Sequence, residues 1–156
     1  MKLDQIFKIE SISADLSAKT KIEVLAELAN TIVQSGIKLK PSLVIEILQQ
    51  RENLGSTGIG DGVAIPHGKI PELKDLIVAF GRSSQGIAYN SLDGKPAHLF
   101  FLLLAPENST GQHLKVLAKI SKMLKIAHFR KMLMKAKSQK EIYKIIIDQD
   151  NSGIPG

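Results

Sequence analysis

The sequence predicts an α/β (α+β) fold, with a mixed sheet of four or five strands covered by helices. Two helical stretches open the chain, short apolar runs bounded by Gly and Pro fill its middle, and three helical stretches close it. The resulting order is α-α-β-β-β-β-α-α-α. The middle connections are too short for every strand pair to be parallel, because parallel neighbours need long crossovers. With 156 residues, 44% hydrophobic and 23% charged, the chain reads as one soluble globular domain. That domain is taken as residues 1–150, with a tail at 151–156 expected to fray.

The first helix is predicted over residues 17–35. Ile22, Leu25, Ala26, Leu28, Ala29, Ile32 and Val33 recur at i, i+3, i+4 spacing. Ser17 is its expected N-cap, and Gly36 stands where a left-handed residue ends a helix. The second helix starts at Pro41, which tolerates the first helical position, and ends near Asn53. Four glycines between Gly55 and Gly62 then exclude helix. Val63 to Ile65 is a short strand stopped by Pro66, and Leu76 to Gly81 is a second. Gly86 to Gly94 reads as turns around a third. His98 to Ala105 is the most apolar strand, expected to be buried on both faces. The closing helices span Ser109 to Ile126, His128 to Ala136, and a segment opened by the capping box Ser138-Gln-Lys-Glu141. In the first of these, Leu114, Leu117, Ala118, Ser121 and Leu124 form the expected apolar side.

Composition removes several classes of function. Without cysteine there is no disulfide, thiolate metal site or cysteine nucleophile. The longest apolar run, Leu99 to Ala105, has seven residues, against about 20 for a membrane span. The N-terminus lacks the apolar core of a signal peptide, so a cytoplasmic protein is expected. The net charge is +6, concentrated from Lys115 to Lys144, where nine lysines and one arginine face one acid, Glu141. Interleaving with apolar residues at helical spacing makes this the solvated face of amphipathic helices. A nucleic-acid patch is the alternative, disfavoured by sparse aromatics. Docking of an acidic protein is also compatible with the charge.

The glycine-rich loop fits neither nucleotide motif. It has no Gly-Lys-Ser/Thr ending, and it leads into a strand where a phosphate loop would open a helix. What it offers is exposed backbone N–H groups that can form an anion nest, or simply a turn. His67 follows Pro66 at a strand end and precedes Gly68, which leaves space around the ring. An imidazole there is largely neutral and nucleophilic at pH 7. His113 opens a helix after a strand, near the positive end of the dipole. The four histidines include no i, i+4 pair, so no metal site is expected. No serine shows a nucleophile-elbow pattern.

The run Arg51-Glu52-Asn-Leu-Gly55-Ser-Thr-Gly-Ile-Gly60-Asp-Gly-Val-Ala-Ile-Pro66-His67-Gly-Lys69 closely resembles the signature of the fructose/mannitol-type enzyme IIA domain of the bacterial phosphotransferase system. Leu102-Leu-Leu-Ala-Pro106-Glu-Asn-Ser-Thr-Gly-Gln-His113-Leu resembles that family's second motif. The resemblance spans roughly residues 3–148. It implies a three-layer sandwich with helices on both faces of the sheet. By motif position it makes His67 the phosphoryl acceptor, His113 a stabiliser of the phosphoryl group, and Arg51 an orienting or partner-contacting residue. The implied donor is a histidine-containing phosphocarrier protein. The implied recipient is a IIB domain or a regulatory target. No cofactor and no metal is implied. Gly68-Lys69 after the histidine looks most like the nitrogen-regulatory branch, the alternative being the IIA subunit of a fructose or mannitol transporter.

Overall fold

The computed structural model describes residues 1–109 and 111–153. Six strands form one sheet: β1 (Phe7–Ser13), β2 (Gly58–Gly60), β3 (Val63–Ala64), β4 (His67–Ile70), β5 (Ile77–Ile87) and β6 (Ala97–Pro106). The order is β1-β5-β6-β3-β2, and β4 also pairs with β6, beyond β3. β1 runs parallel to β5, and β3 and β4 run parallel to β6; the β5–β6 and β2–β3 pairs are antiparallel. The sheet is therefore mixed, as expected. It exceeds the predicted four or five strands because β1, β2 and β4, none of them read as strands, form by pairing with other segments. The strand expected within Gly86–Gly94 is not separate: β5 runs on to Ile87, and Ala88 makes only an isolated bridge with Thr20.

Five helices cover it: α1 (Lys21–Gln34), α2 (Pro41–Asn53), α3 (Gln112–Leu124), α4 (Ala127–Lys135) and α5 (Gln139–Asn151). Side-chain alternation along β6 shows the three layers. Phe100, Leu102 and Leu104 pack with Val24, Leu28 and Leu48 of α1 and α2. Leu99, Phe101 and Leu103 pack with Ile120 of α3, Leu133 of α4 and Ile142 of α5. A strand covered by helices on both faces must be apolar at every position.

Several boundaries differ from the sequence reading. The N-cap of α1 is Thr20 rather than Ser17. Thr20 and Glu23 form a full capping box, while Glu27 accepts the Ser17 N–H at 3.0 Å. Gly36 does carry the expected positive φ, 101°. α3 begins at Gln112 after the left-handed Gly111, three residues later than Ser109. Its buried stripe is Val116, Ile120, Met123 and Leu124, so the expected stripe is rotated: Leu114 is exposed. At α5, Ser138 accepts the Glu141 N–H, but the Glu141 carboxylate takes the N–H of Lys137, so the box is only half formed. Asn151 lies within α5 and Ser152 hydrogen-bonds back to Asp148, so the chain is ordered beyond the expected start of the tail. The rest of that expectation, residues 154–156, lies outside the described residues.

Candidate active site

The glycine loop resolves into a hairpin. Gly60 pairs with Val63, and Asp61 (φ 57°) and Gly62 (φ 78°) make the two-residue turn. Successive positive φ values match the twist of the flanking strands, which explains the Asp-Gly. Asp93 fixes this turn by accepting the N–H groups of Asp61 and Lys95, each at 3.1 Å. A side chain on Gly58 would come within 2.9 Å of the Ser91 backbone, so that glycine permits close packing. No residue from 55 to 62 lines the cavity beside His67. Of the two readings of this loop, an anion nest or a plain turn, the geometry matches the turn.

His67 is the first residue of β4 and pairs with Leu103 of β6. Pro66 delivers it to the sheet edge, and its own carbonyl accepts the Leu103 N–H at 3.0 Å. Gly68 admits α2: a Cβ there would meet Ile47 at 2.8 Å. Its small size thus serves helix packing rather than space around the ring. The imidazole is half-buried, with Nδ1 2.8 Å from the Ile65 carbonyl oxygen. A carbonyl can only accept, so Nδ1 carries the proton and Nε2 keeps its lone pair. Burial lowers the His67 pKa below its ordinary 6.5, with Arg51 and His113 acting the same way; the Ile65 hydrogen bond and Glu52 oppose them. The ring is neutral at pH 7.

The structure brings all three predicted residues to one cavity of about 480 Å³, lined by Arg51, His67 and His113 together with Lys69. Arg51, in the last turn of α2, donates from Nη1 to the Gly55 carbonyl at 2.9 Å. One edge of its guanidinium is anchored, and the remaining N–H groups are available to an anion. His113 is the second residue of α3, where helix N–H groups and dipole favour negative charge. Its Nδ1 lies 3.2 Å from the Ser109 hydroxyl, which itself donates to the Pro106 carbonyl at 2.9 Å. With that proton committed, His113 Nδ1–H donates to Ser109, and its second ring nitrogen, Nε2, donates to an anion only in the imidazolium form.

The rim was not read from the sequence as functional. Leu54 is 85% exposed and Leu114 60% exposed, and both line this cavity beside Ile47 and Leu117. Large apolar side chains left in water around a reactive group mark a protein-docking face. The periodicity of α3 did carry Leu114, but as core. On the basic helices, Lys119 is held by the buried Asp150 at 2.9 Å and Lys144 by Asp148 at 2.7 Å. Part of that charge is therefore committed within the protein, which supports the solvated-face reading.

A sheet-edge imidazole with one nitrogen locked, the other free, cations beside it and apolar side chains around it suits group transfer between proteins. Over residues 5–149 the sequence matches the family described as phosphoenolpyruvate-dependent sugar phosphotransferase system, EIIA 2. The chain belongs to this family. It is 38% identical over 146 residues to the nitrogen regulatory protein of Bradyrhizobium diazoefficiens, covering 94% of this chain and 95% of that one. It is 36% identical over 150 residues to the fructose-specific EIIABC component of Bacillus subtilis. That match covers 96% of this chain, which spans only 24% of the Bacillus protein. The nitrogen regulatory protein IIA-Ntr from Neisseria meningitidis superimposes with a TM-score of 0.86 at 36% identity, covering 92% of this chain and 98% of that one. The mannitol IIA of Escherichia coli shares the fold, with a TM-score of 0.73 at 24% identity and coverage of 89% and 97%. No helix of the described residues is long and apolar enough to cross a membrane.

Proposed function

We propose that the protein is a cytoplasmic phosphoryl carrier in which His67 Nε2 accepts a phosphoryl group from a histidine-containing phosphocarrier protein. The observation that carries this reading is the 2.8 Å Nδ1 contact to the Ile65 carbonyl, which leaves Nε2 unprotonated on a ring that lines the cavity. As Nε2 forms its bond to phosphorus, the donor's N–P bond breaks and the pair returns to the donor imidazole. No proton has to leave Nε2. Positive charge growing on the His67 ring is stabilised by the Ile65 oxygen, and Arg51 and His113 face the phosphoryl oxygens. Positioning and charge stabilisation of this kind are the main needs of phosphoryl transfer. Leu54 and Leu114 supply apolar area for docking each partner in turn.

The role assigned is regulatory, like that of the nitrogen regulatory relatives that match this chain over almost their full length. Similarity to the fructose-specific protein supports a second reading, onward transfer to the IIB domain of a fructose or mannitol transporter. A mannitol IIA with the same fold is known in complex with its phosphorylated IIB partner. Incubation with phosphoenolpyruvate and the general phosphotransfer proteins, read by intact mass, tests the first step: the protein should gain one acid-labile phosphate. Adding a purified IIB domain then separates the roles, since a regulatory protein should retain its label.

Two further outcomes are expected at this site. His113→Ala should still be phosphorylated at His67 but should pass the group on about 10- to 150-fold more slowly, the worth of one charge-assisted hydrogen bond at the barrier. His113→Gln, which keeps a donor, should recover part of that rate. Wild-type rates in both steps would leave His113 a structural role only. Arg51→Lys keeps the charge but loses the planar fork. Stopped-flow uptake should be about tenfold slower. Unchanged kinetics in Arg51→Ala would confine Arg51 to its bond with Gly55.

A further inference from the structure

We infer that Glu52 is a positioning residue for the reaction at His67, holding the acceptor ring in place through Thr57 and Ile65. The inference rests on the phosphoryl-carrier reading above. Glu52 is buried at the end of α2, although it is a carboxylate in a last helical turn, where water is normally close. Its Oε1 accepts the Thr57 N–H at 3.1 Å and the Lys21 ammonium at 2.8 Å, and its Oε2 accepts the Thr57 hydroxyl. Every oxygen of a buried charge is therefore engaged, the condition under which such a charge is tolerated.

From Thr57 a continuous run of hydrogen bonds reaches the reactive ring. The Thr57 carbonyl accepts the Ile65 N–H at 3.0 Å, and the Ile65 carbonyl accepts the His67 Nδ1–H at 2.8 Å. Thr57 and Ile65 are themselves buried. Glu52 thus fixes the peptide whose oxygen fixes the tautomer. The back of this bracket is closed by Tyr89. Its hydroxyl lies 3.2 Å from the Thr57 hydroxyl, its ring stacks on Phe100, and Lys21 lies 4.6 Å above it. The bracket joins α1, α2, the glycine loop and the sheet behind the cavity without lining it.

A positioning role differs from a merely structural one in what it does to His67. The charged or titratable groups that face His67 are Arg51 and Glu52 from α2, His113 from α3, and Lys69 on its own strand. Glu52 is the one negative charge in that set. Glu52→Gln keeps the shape, removes that charge and leaves Lys21 unpaired, so the His67 titration should move down. Lys21→Met leaves the carboxylate without its cation, so the titration should move up.

The test follows the His67 imidazole by NMR through a pH series, together with phosphoryl uptake under varied carrier concentration. Opposite pKa shifts are expected in the two variants. The maximal uptake rate should fall roughly 10- to 100-fold, the cost of a misplaced nucleophile. Half-saturation should be unchanged, because Leu54 and Leu114 are untouched. The inference is overturned if both folded variants titrate His67 as the wild type does, or if uptake falls only in proportion to the unfolded fraction. Should Glu52→Gln fail to fold, Lys21→Met, whose side chain is partly exposed, decides alone by the same two readouts. Failure of wild-type protein to accept a phosphoryl group would defeat the functional reading instead, and the NMR titration would still judge Glu52 without any partner.

Discussion

The His67→Ala variant is expected to take up no phosphoryl group from the carrier while keeping its fold. His67 lies at a sheet edge, half-buried, with its side chain bonded only to the Ile65 carbonyl among the described residues. Its removal therefore opens no sealed cavity, and the cost to stability is that of a surface-proximal site, of order 1 kcal/mol. Loss of labelling in intact mass, with an unchanged urea midpoint within that margin, is the expected pair of results. Label persisting in His67→Ala would place the acceptor elsewhere and remove the basis of the mechanism.

The same burial sets a pH dependence. The folded pKa of His67 is below the ordinary 6.5, burial being the largest cause. Only the neutral ring attacks, so the acid limb of the uptake profile should fall below pH 6.5. Linkage has the matching sign. Protonation favours the unfolded chain, so the contribution of neutral His67 to stability is present above the unfolded pKa and is lost as pH falls through the folded one. An uptake midpoint at or above 6.5, measured with a carrier whose own titration is known, would contradict the burial.

Much of this site was legible because its signals are local. Pro66 before His67, Pro41 at the first position of α2 and the apolar run of β6 each act within a few residues, and each stands where the sequence placed it. Signals that depend on distant partners were not legible. Phe7, Ile9 and Ser11 alternate with Lys8 and Glu10, but β1 becomes a strand by pairing with β5, some 70 residues away. β4 has little intrinsic strand character and exists because β6 accepts it. Leu114 obeys helical periodicity, yet the pattern cannot tell which of two adjoining apolar arcs faces the core and which faces a partner. Glu52 gave no sign of burial, because Thr57 and Lys21 reach it only in three dimensions.

Arg82 shows the same limit at larger energetic scale. A strand ending at Gly81 is the natural reading, since an arginine in a strand usually marks the solvent end. β5 instead continues to Ile87 with Arg82 buried. Its Nε donates to the Ala14 carbonyl at 3.0 Å, and Nη1 donates to the carbonyls of Leu133 at 2.9 Å and Ala136 at 2.5 Å. These last two are carbonyls at the C-terminal end of α4, which the helix cannot satisfy itself. One planar guanidinium therefore ties the segment after β1 and the end of α4 to the middle of the sheet. Arg82→Met fills similar volume and donates nothing. Each buried carbonyl left without a donor costs about 1–3 kcal/mol, and partial hydration brings the three together to about 3–5 kcal/mol. Against a total of about 5–15 kcal/mol, that is a large fraction of stability. The urea midpoint should drop accordingly with an unchanged slope. Arg82→Lys, able to reach one or two of the three oxygens, should fall between. Arg82 pairs with Leu99 and His67 with Leu103, four residues apart on β6, about 13 Å. Folded Arg82→Met should thus accept phosphate at the wild-type rate. A loss under 1 kcal/mol would mean that water replaces the guanidinium at α4, and slowed uptake in the folded variant would mean that the clamp reaches the active site.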